Sequence, residues 1–375
     1  MKIIGPRYLA LAAAAVLAGC ATVQNVGPRP EFLPSANGAA HKPASFLYLA
    51  QCCRQIFGNG GSITFFDLEL DGVARTITKG VSNPSFITVD RAGRVYMTSW
   101  LDYFQGVTEY DAGSERPSRR IKLTYAWVAA TDESNNLYAA VCPSCHLYTR
   151  GKGSINVYEA GTTTLLRSIK EGIDAPSALA FDTHDNLYVL NYDRSRTSVT
   201  VYAPGSSKPL RRLLQGYTEP LAIALDPSNN LFVMRNNYSS PPSIVEYKAE
   251  SDKILRTITK GLSSPQALTF DASGTLYVAN TPFPSPGWVS VYAPGASNPS
   301  YRIKSGMYGP DLLTVDGEGN LYVGNDDYGV ALDRPDVSSG DNGSVCVYAP
   351  KAKKPLRCVA TRVGSFPYSL TVESQ

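Results

Sequence analysis

Hydrophobic and polar positions along this chain repeat one pattern with a period of roughly 40–50 residues, the mark of a repeat architecture. An apolar run opens on Pro and ends in Asp, a turn follows, and Leu-Tyr-Val, Val-x-Val-Tyr and Leu-Arg-x-Ile segments succeed one another. The best copies are PSALAFDTHDNLYVLN from Pro176, PQALTFDASGTLYVAN from Pro265 and PDLLTVDGEGNLYVGN from Pro310. Within a segment the period is two, as in Val199 and Val201 against Thr200 and Tyr202. Both sets are apolar or aromatic enough to be buried, which suits strands of sheets packed on both faces. Each copy therefore predicts four strands.

Counting by strand type closes a circle. Pro-to-Asp runs begin at Pro84, Tyr125, Pro176, Pro220, Pro265, Pro310 and Pro367. Second strands follow six of them, at Val95, Leu137, Leu187, Leu231, Leu276 and Leu321, while a seventh copy, LYLA at Leu47, stands alone near the start. Third strands occur at Thr64, Thr108, Asn156, Thr200, Val245, Ser290 and Cys346. Fourth strands run through Arg75, Arg120, Arg167, Arg211, Arg256, Arg302 and Arg357. The last Pro run lacks three partners, and the N-terminal strands lack an inner one. The prediction is an all-β chain: a seven-bladed β-propeller of four-stranded antiparallel blades over residues 44–375. N- and C-terminal strands share the last blade, which limits open edges.

Composition agrees. With 23 Tyr, 31 Gly and 26 Pro against 4 Met and 3 His, the chain favours strands and turns over helices. Asp-x-x-Gly/Asn-x-Leu turns, as from Asp271 to Leu276, place Gly or Asn where φ is positive. Tyr residues inside these motifs are expected to be structural.

Carried on these motifs, the chain resembles NHL and YVTN-type propeller repeats, and more distantly gluconolactonase/regucalcin-like propellers. The resemblance implies fold far more than function. The lactonase-like propellers imply a divalent metal in the central channel, held partly by Asn or Asp directly after the opening Pro. Here those positions are Ser85, Ser177, Leu221, Gln266, Asp311 and Tyr368, and only Asp311 fits. One carboxylate is too few for a hard cation such as Ca²⁺. Asn280 and Asn325, at neighbouring strand ends, are its best helpers.

The first twenty residues read as an export signal. Lys2 and Arg7 precede an apolar run, Leu9 to Ala18, too short to span a bilayer, and then Leu17-Ala18-Gly19-Cys20. This resembles a bacterial lipoprotein signal, which implies acylation at Cys20 and a lipid anchor in the cell envelope. Ala21 after the cysteine points to the outer membrane, and several acyl chains would hold durably. Residues 21–43 lack periodicity and form a tether of roughly 25 Å as a flexible coil. Removing Lys2 and Arg7 takes the net charge from +3 to +1. No basic run remains, so nucleic acid is not an expected partner, and a monomer is expected.

Six cysteines follow Cys20, an even number suited to three disulfides in an oxidising compartment. Cys346 and Cys358 fall on adjacent strands of one hairpin and should pair. Cys52 and Cys53 form a vicinal pair or join the Cys142/Cys145 loop. Cys142-Pro-Ser-Cys145-His146 also matches the c-type haem attachment spacing. A local disulfide is the first reading, haem through Cys142, Cys145 and His146 the alternative, and redox thiols or metal a third. The loop from Asn325 to Gly343 carries five Asp and is read as solvated, with calcium ordering as its alternative.

The remaining signal is distributed. Loops between second and third strands emerge on one face, each with an aromatic: Phe57, Trp100, Tyr103, Tyr148, Tyr192, Tyr238, Trp288 and Tyr328 among them. Arg54, Asp102, Asn191, Asp193, Arg235, Asn236 and Asp327 accompany them. Flat rings beside hydrogen-bonding groups suit stacking on sugars or capture of a protein segment. The sequence therefore predicts a membrane-tethered, non-catalytic binding propeller for a protein or envelope glycan, without a required cofactor. The alternatives are a lactonase- or lyase-like enzyme with a channel metal and a haem lipoprotein.

Overall fold

The computed structural model describes residues 46–53, 60–68, 73–99, 105–143, 152–192, 197–214, 220–237, 240–282, 284–325, 343–360 and 365–372. These form seven four-stranded antiparallel sheets. In six of them the strands stand side by side in chain order, opening with Pro84–Val89, Ala126–Thr131, Pro176–Phe181, Pro220–Leu225, Pro265–Phe270 and Pro310–Val315 (blades 1 to 6). Blade 7 runs Ser365–Val372, Phe46–Cys53, Gly61–Asp67, Val73–Ile77, one C-terminal strand beside three N-terminal ones. Inner strands touch their counterparts around the ring. The chain is a seven-bladed β-propeller closed as the repeat count required.

Its core lies between blades. Val189 packs with Ile155 and Val157 of blade 2, while its neighbour Leu190 packs with Leu231 and Val233 of blade 4. Period two thus sends successive side chains to opposite neighbours, and burying each Val or Leu stabilises by about 1.5–3 kcal/mol. The closing blade obeys the same rule. Leu47 and Leu49 meet Tyr322 and Val345 of blade 6, and Tyr48 and Ala50 meet Ile87 and Met97 of blade 1.

Two repeated polar devices explain the Tyr residues of the repeat motifs. The first is the Asp that follows the inner strand in blades 1 to 6. Asp182 accepts from the N–H groups of His184 and Asn186, the Asn186 amide and the Tyr188 hydroxyl. Asp316 does the same for Glu318, Asn320 and Tyr322, and Asp271 for Ser273, Thr275 and Tyr277. Burial, then the neighbouring Asp182 charge, pushes the Tyr188 phenol up to about 12. The second device is the Tyr that ends the third strand. Tyr110, Tyr292 and Tyr348 donate to the carbonyls of Lys79, Lys260 and Ser305, in the connector that enters their own blade from the preceding one. The following residue there is Gly306 in blade 6, at φ 76°, where a Cβ would sit 2.6 Å from the Tyr348 hydroxyl.

The recurrent Arg of the outer strand is structural as well. Arg75 lies 4.0 Å over the Phe65 ring and Arg167 5.5 Å over Tyr138, while Arg119 and Arg256 pair with the buried Glu109 and Glu246. Burial raises both Glu carboxyls above their ordinary range, and the paired Arg pulls each back.

One feature was absent from the sequence reading. Every inner strand carries a β-bulge, at its second residue in blades 1 to 6 and at Tyr368, after Pro367, in blade 7. In blade 3, Pro176 pairs with Asn191 and Ala178 with Leu190, so Ser177 faces no partner.

Candidate functional site

The seven bulges stack at one end of the channel. Inner strands run from that end toward their Asp turns, so the second-to-third-strand loops and the connectors open on the same face. The residues that the ladder register skips are Ser85, Trp127, Ser177, Leu221, Gln266, Asp311 and Tyr368. A bulge bends its strand and re-aims one side chain away from the regular pleat. In a blade that pleat sends side chains to the neighbouring sheets, so the bulge residue is the one released toward the channel mouth. Exposure agrees with this: Ser177 is exposed and Leu221 is 37% exposed, although both belong to innermost strands. The side chain of Tyr368 lies outside the described residues.

This position also differs from blade to blade while its surroundings repeat. It holds two hydroxyls, an indole, a leucine, a carboxamide and a carboxylate. Several are steadied by polar contacts. Ser85 Oγ donates to the Thr98 carbonyl at 3.2 Å, Thr98 Oγ1 to the Trp127 carbonyl at 3.1 Å, and Gln266 Nε2 to the Ser264 carbonyl at 3.1 Å. Around the rim, Asn236 Nδ2 donates to the Pro265 carbonyl at 3.1 Å and Thr281 Oγ1 to the Pro310 carbonyl at 2.6 Å, each tying one blade to the next bulge. The mouth is a braced ring of unlike polar and apolar groups.

The metal candidates separate. Asp311 stands in the bulge ring, as the resemblance to lactonase-like propellers required of a ligand. Asn280 and Asn325 do not face the channel. Both are fully buried, and their carboxamide oxygens accept from the backbone N–H groups of Ser263 at 2.8 Å and Tyr308 at 3.0 Å. Their Nδ2 groups donate to Val278, and to Gly306 and Ser344 Oγ. Asn191, expected on the binding face, behaves identically, accepting from Asp174 and donating to Gly172 and Thr200. These asparagines clamp the second strand to the incoming connector, and their complete burial keeps them from a ligand in the channel. The signal was available in the sequence: Asn recurs at one place in the repeat, and a residue that repeats with the motif serves the motif. Among the described residues no three His, Cys, Asp or Glu side chains gather as a metal set.

Trp288 is half-buried: its Nε1 donates to Ser290 Oγ at 3.0 Å, and the Arg302 guanidinium lies 4.7 Å over one face of its ring, which leaves the other face for stacking. Tyr192 remains at the face, 37% exposed, its N–H bonded to the Ala175 carbonyl. Arg235 bonds Ser243 Oγ, and occupies in blade 4 the place of the clamping Asn. The other predicted face residues, Arg54, Trp100, Asp102, Tyr103, Tyr148, Asp193, Tyr238, Asp327 and Tyr328, lie outside the described residues. So do Cys20 with its signal and tether, Cys145, His146 and the side chains of Cys52 and Cys53. Cys142 is buried and disulfide-bonded, which leaves its sulfur no bond for a haem thioether in that state. Cys346 and Cys358 form the expected cross-strand disulfide.

The opposite mouth carries a cavity of about 500 Å³ lined by Asp132, Glu133, Asp182, Asp185, Asp226 and Arg91 among others. Its carboxylates are committed to the fold. Asp132, Asp182 and Asp226 hold their own turns, and Asp185 accepts from the Glu133 N–H of the previous blade.

No known family's sequence profile matches this chain, and no curated protein matches it. Solved structures match its fold. A protein from Lactobacillus plantarum superposes with a TM-score of 0.63 at 13% identity, over 88% of this chain and 99% of that one. A protein from Bacteroides uniformis, provisionally assigned as a 6-phosphogluconolactonase, gives 0.57 at 14% over 88% and 99%. Hydrazine synthase from Kuenenia stuttgartiensis gives 0.54 at 14% over 70% and 76%. At these identities the likeness is one of fold: this chain is built as those propellers are built.

Proposed function

We propose that this chain is a lipid-tethered, extracytoplasmic propeller that binds an envelope glycan at the bulge-lined mouth of its channel. The carrying observation is the bulge position itself, which holds hydroxyl, amide, carboxylate and apolar groups in turn where the residue two further along is Ile, Leu or Ala in every inner strand. Hydroxyls at Ser85 and Ser177, the Gln266 amide and the Asp311 carboxylate suit a ligand rich in hydroxyl groups. Trp127 and Leu221 supply the apolar surface that a sugar ring's face prefers. The lipobox ending at Cys20 supports the placement in the envelope, with a protein segment as the competing ligand class.

The test is an array of soluble bacterial-envelope oligosaccharides probed with the full chain and with Ser177→Trp. The wild type should bind a subset, and the indole added at an exposed mouth position should block it while the melting temperature holds. Binding that is absent, or indifferent to Ser177→Trp, would remove the glycan reading.

A second reading is favoured by the shared fold with the provisionally assigned lactonase and by Asp311 at the mouth: hydrolysis of a sugar lactone. Lactone turnover measured before and after chelation, with Asp311→Asn as control, tests it. Turnover lost in the variant would support an enzyme, and no turnover would end that reading.

A further inference from the structure

Cys346 occupies, in blade 6, a third-strand position held elsewhere by Thr64, Thr108, Asn156, Thr200, Val245 and Ser290. In blades 3 and 5 the hydroxyl there donates to a connector glycine: Thr200 Oγ1 to the Gly172 carbonyl at 2.8 Å, Ser290 Oγ to the Gly261 carbonyl at 2.7 Å. The matching Gly306 carbonyl lies 3.5 Å from Cys346 Sγ, and Asn325 Nδ2 lies 3.8 Å away. A berth for a thiol proton is therefore already built beside a sulfur that is 1% exposed. Cys358, its disulfide partner, is exposed on the outer strand, at the register where other blades place Arg120, Ser168, Arg212 and Arg302. One bond thus joins an exposed cysteine to a buried one.

We propose that this disulfide is a thiol-exchange site with a fixed direction, taking an external thiol on Cys358. The attacking thiolate bonds to Cys358 Sγ, the Cys346–Cys358 bond breaks, and Cys346 Sγ leaves with the electron pair. It then takes up the proton that the attacking thiol gave up. The balance is one thiol consumed, one mixed disulfide and one thiol formed. Access decides which sulfur is attacked, and exposed disulfides are the labile ones. The new Cys346 thiol donates to the Gly306 carbonyl as Thr200 and Ser290 donate to theirs. Ladder pairs on either side of Cys358, Val347 with Arg357 and Val345 with Val359, keep the outer strand in place. This inference does not depend on what the channel mouth binds.

The experiment uses the full chain in two variants. Cys346→Ser keeps a donor for Gly306 and leaves Cys358 as the thiol of the pair, whereas Cys358→Ser leaves Cys346. Each is exposed to glutathione disulfide while folded, and the adduct is located by peptide mass. Cys358 in the first variant should gain one glutathione, at least about 100-fold faster than Cys346 in the second. Wild type given limiting glutathione and then alkylated should carry glutathione on Cys358 and the alkyl group on Cys346. Glutathione on Cys346, equal rates in the two variants, or exchange only after unfolding in urea would overturn the proposal. If Cys346→Ser fails to fold, the wild-type arm alone decides between the two sulfurs.

Discussion

The two mouths of the channel are built from the same inner strands, yet they spend their polar groups differently. At the turn mouth each Asp satisfies several donors of its own turn, and neighbouring turns are linked as well. The Arg91 N–H donates to Asn135, Glu133 to Asp185 and Thr183 to Asn229, joining blades 1 to 4 in series. Blade 4 then offers Pro227, which has no N–H, and blade 5 answers with Gly274, which has no side chain to accept. At the bulge mouth the repeating groups are used up in the asparagine clamps, while the residues that differ are the ones the ladder register skips. Acidity at a channel mouth is therefore a poor guide to function here. What separates binding surface from framework is whether a polar group repeats with the fold.

The strongest way to break this comparison is at the turn mouth. Asp316→Ala strips acceptors from two part-buried backbone N–H groups and the Asn320 amide, and one of two acceptors from the Tyr322 hydroxyl. A loss of about 3 kcal/mol or more is expected in urea unfolding. If stability hardly moved, the Asp turns would not be the frame. Next comes Asn280→Ala, expected to cost about 1–3 kcal/mol because Ser263 and Ser290 lose their buried partner. Unchanged stability combined with lost ligand binding would return Asn280 to the site. At the bulge mouth the pattern should invert. Leu221→Ser should stay within about 0.5 kcal/mol of wild type, yet weaken binding of the best array oligosaccharide, measured by calorimetry.

A smaller effect concerns acid. Asp271 is partly buried, which raises its carboxyl, but donors from Ser273, Thr275 and Tyr277 outweigh this and hold it below its ordinary 3.8. Its stabilisation is therefore present above that value and is lost as pH falls through the depressed one. Asp271→Asn should then be less stable than wild type near neutral pH, and the gap should narrow toward pH ~2. A gap that widens in acid would reverse the assigned direction.

Fold and site were unequally legible in the sequence. Alternation and turn chemistry are local, and seven copies average out the noise of any one, so strand count and ring closure could be read from Pro84 to Pro367. Register at the bulges could not. Nothing in PSALAF announces that Ser177 drops out of the ladder, because a bulge is decided by how the strand must bend to border a channel. The residues at these positions are plain in the sequence, but their place outside the ladder is not. Asn191, Asn280 and Asn325 misled for the opposite reason, since their chemistry suggests ligands while their partners are backbone groups 17 residues away in sequence. That Arg302, on an adjacent strand, takes one face of the Trp288 ring is a matter of cross-strand register, which the sequence does not display.

The seam of blade 7 bears on how the molecule forms. Six blades pair strands close in sequence, but Phe46–Cys53 must find Ser365–Val372 across most of the chain, and the Tyr322 hydroxyl must reach the Leu68 carbonyl across the same gap. Contacts of long sequence separation carry the largest loop-closure cost and come slowly. Assembly should end in a ring-closing step, with the N-terminal three strands waiting, one face and one edge bare, for the final strand to lock them in.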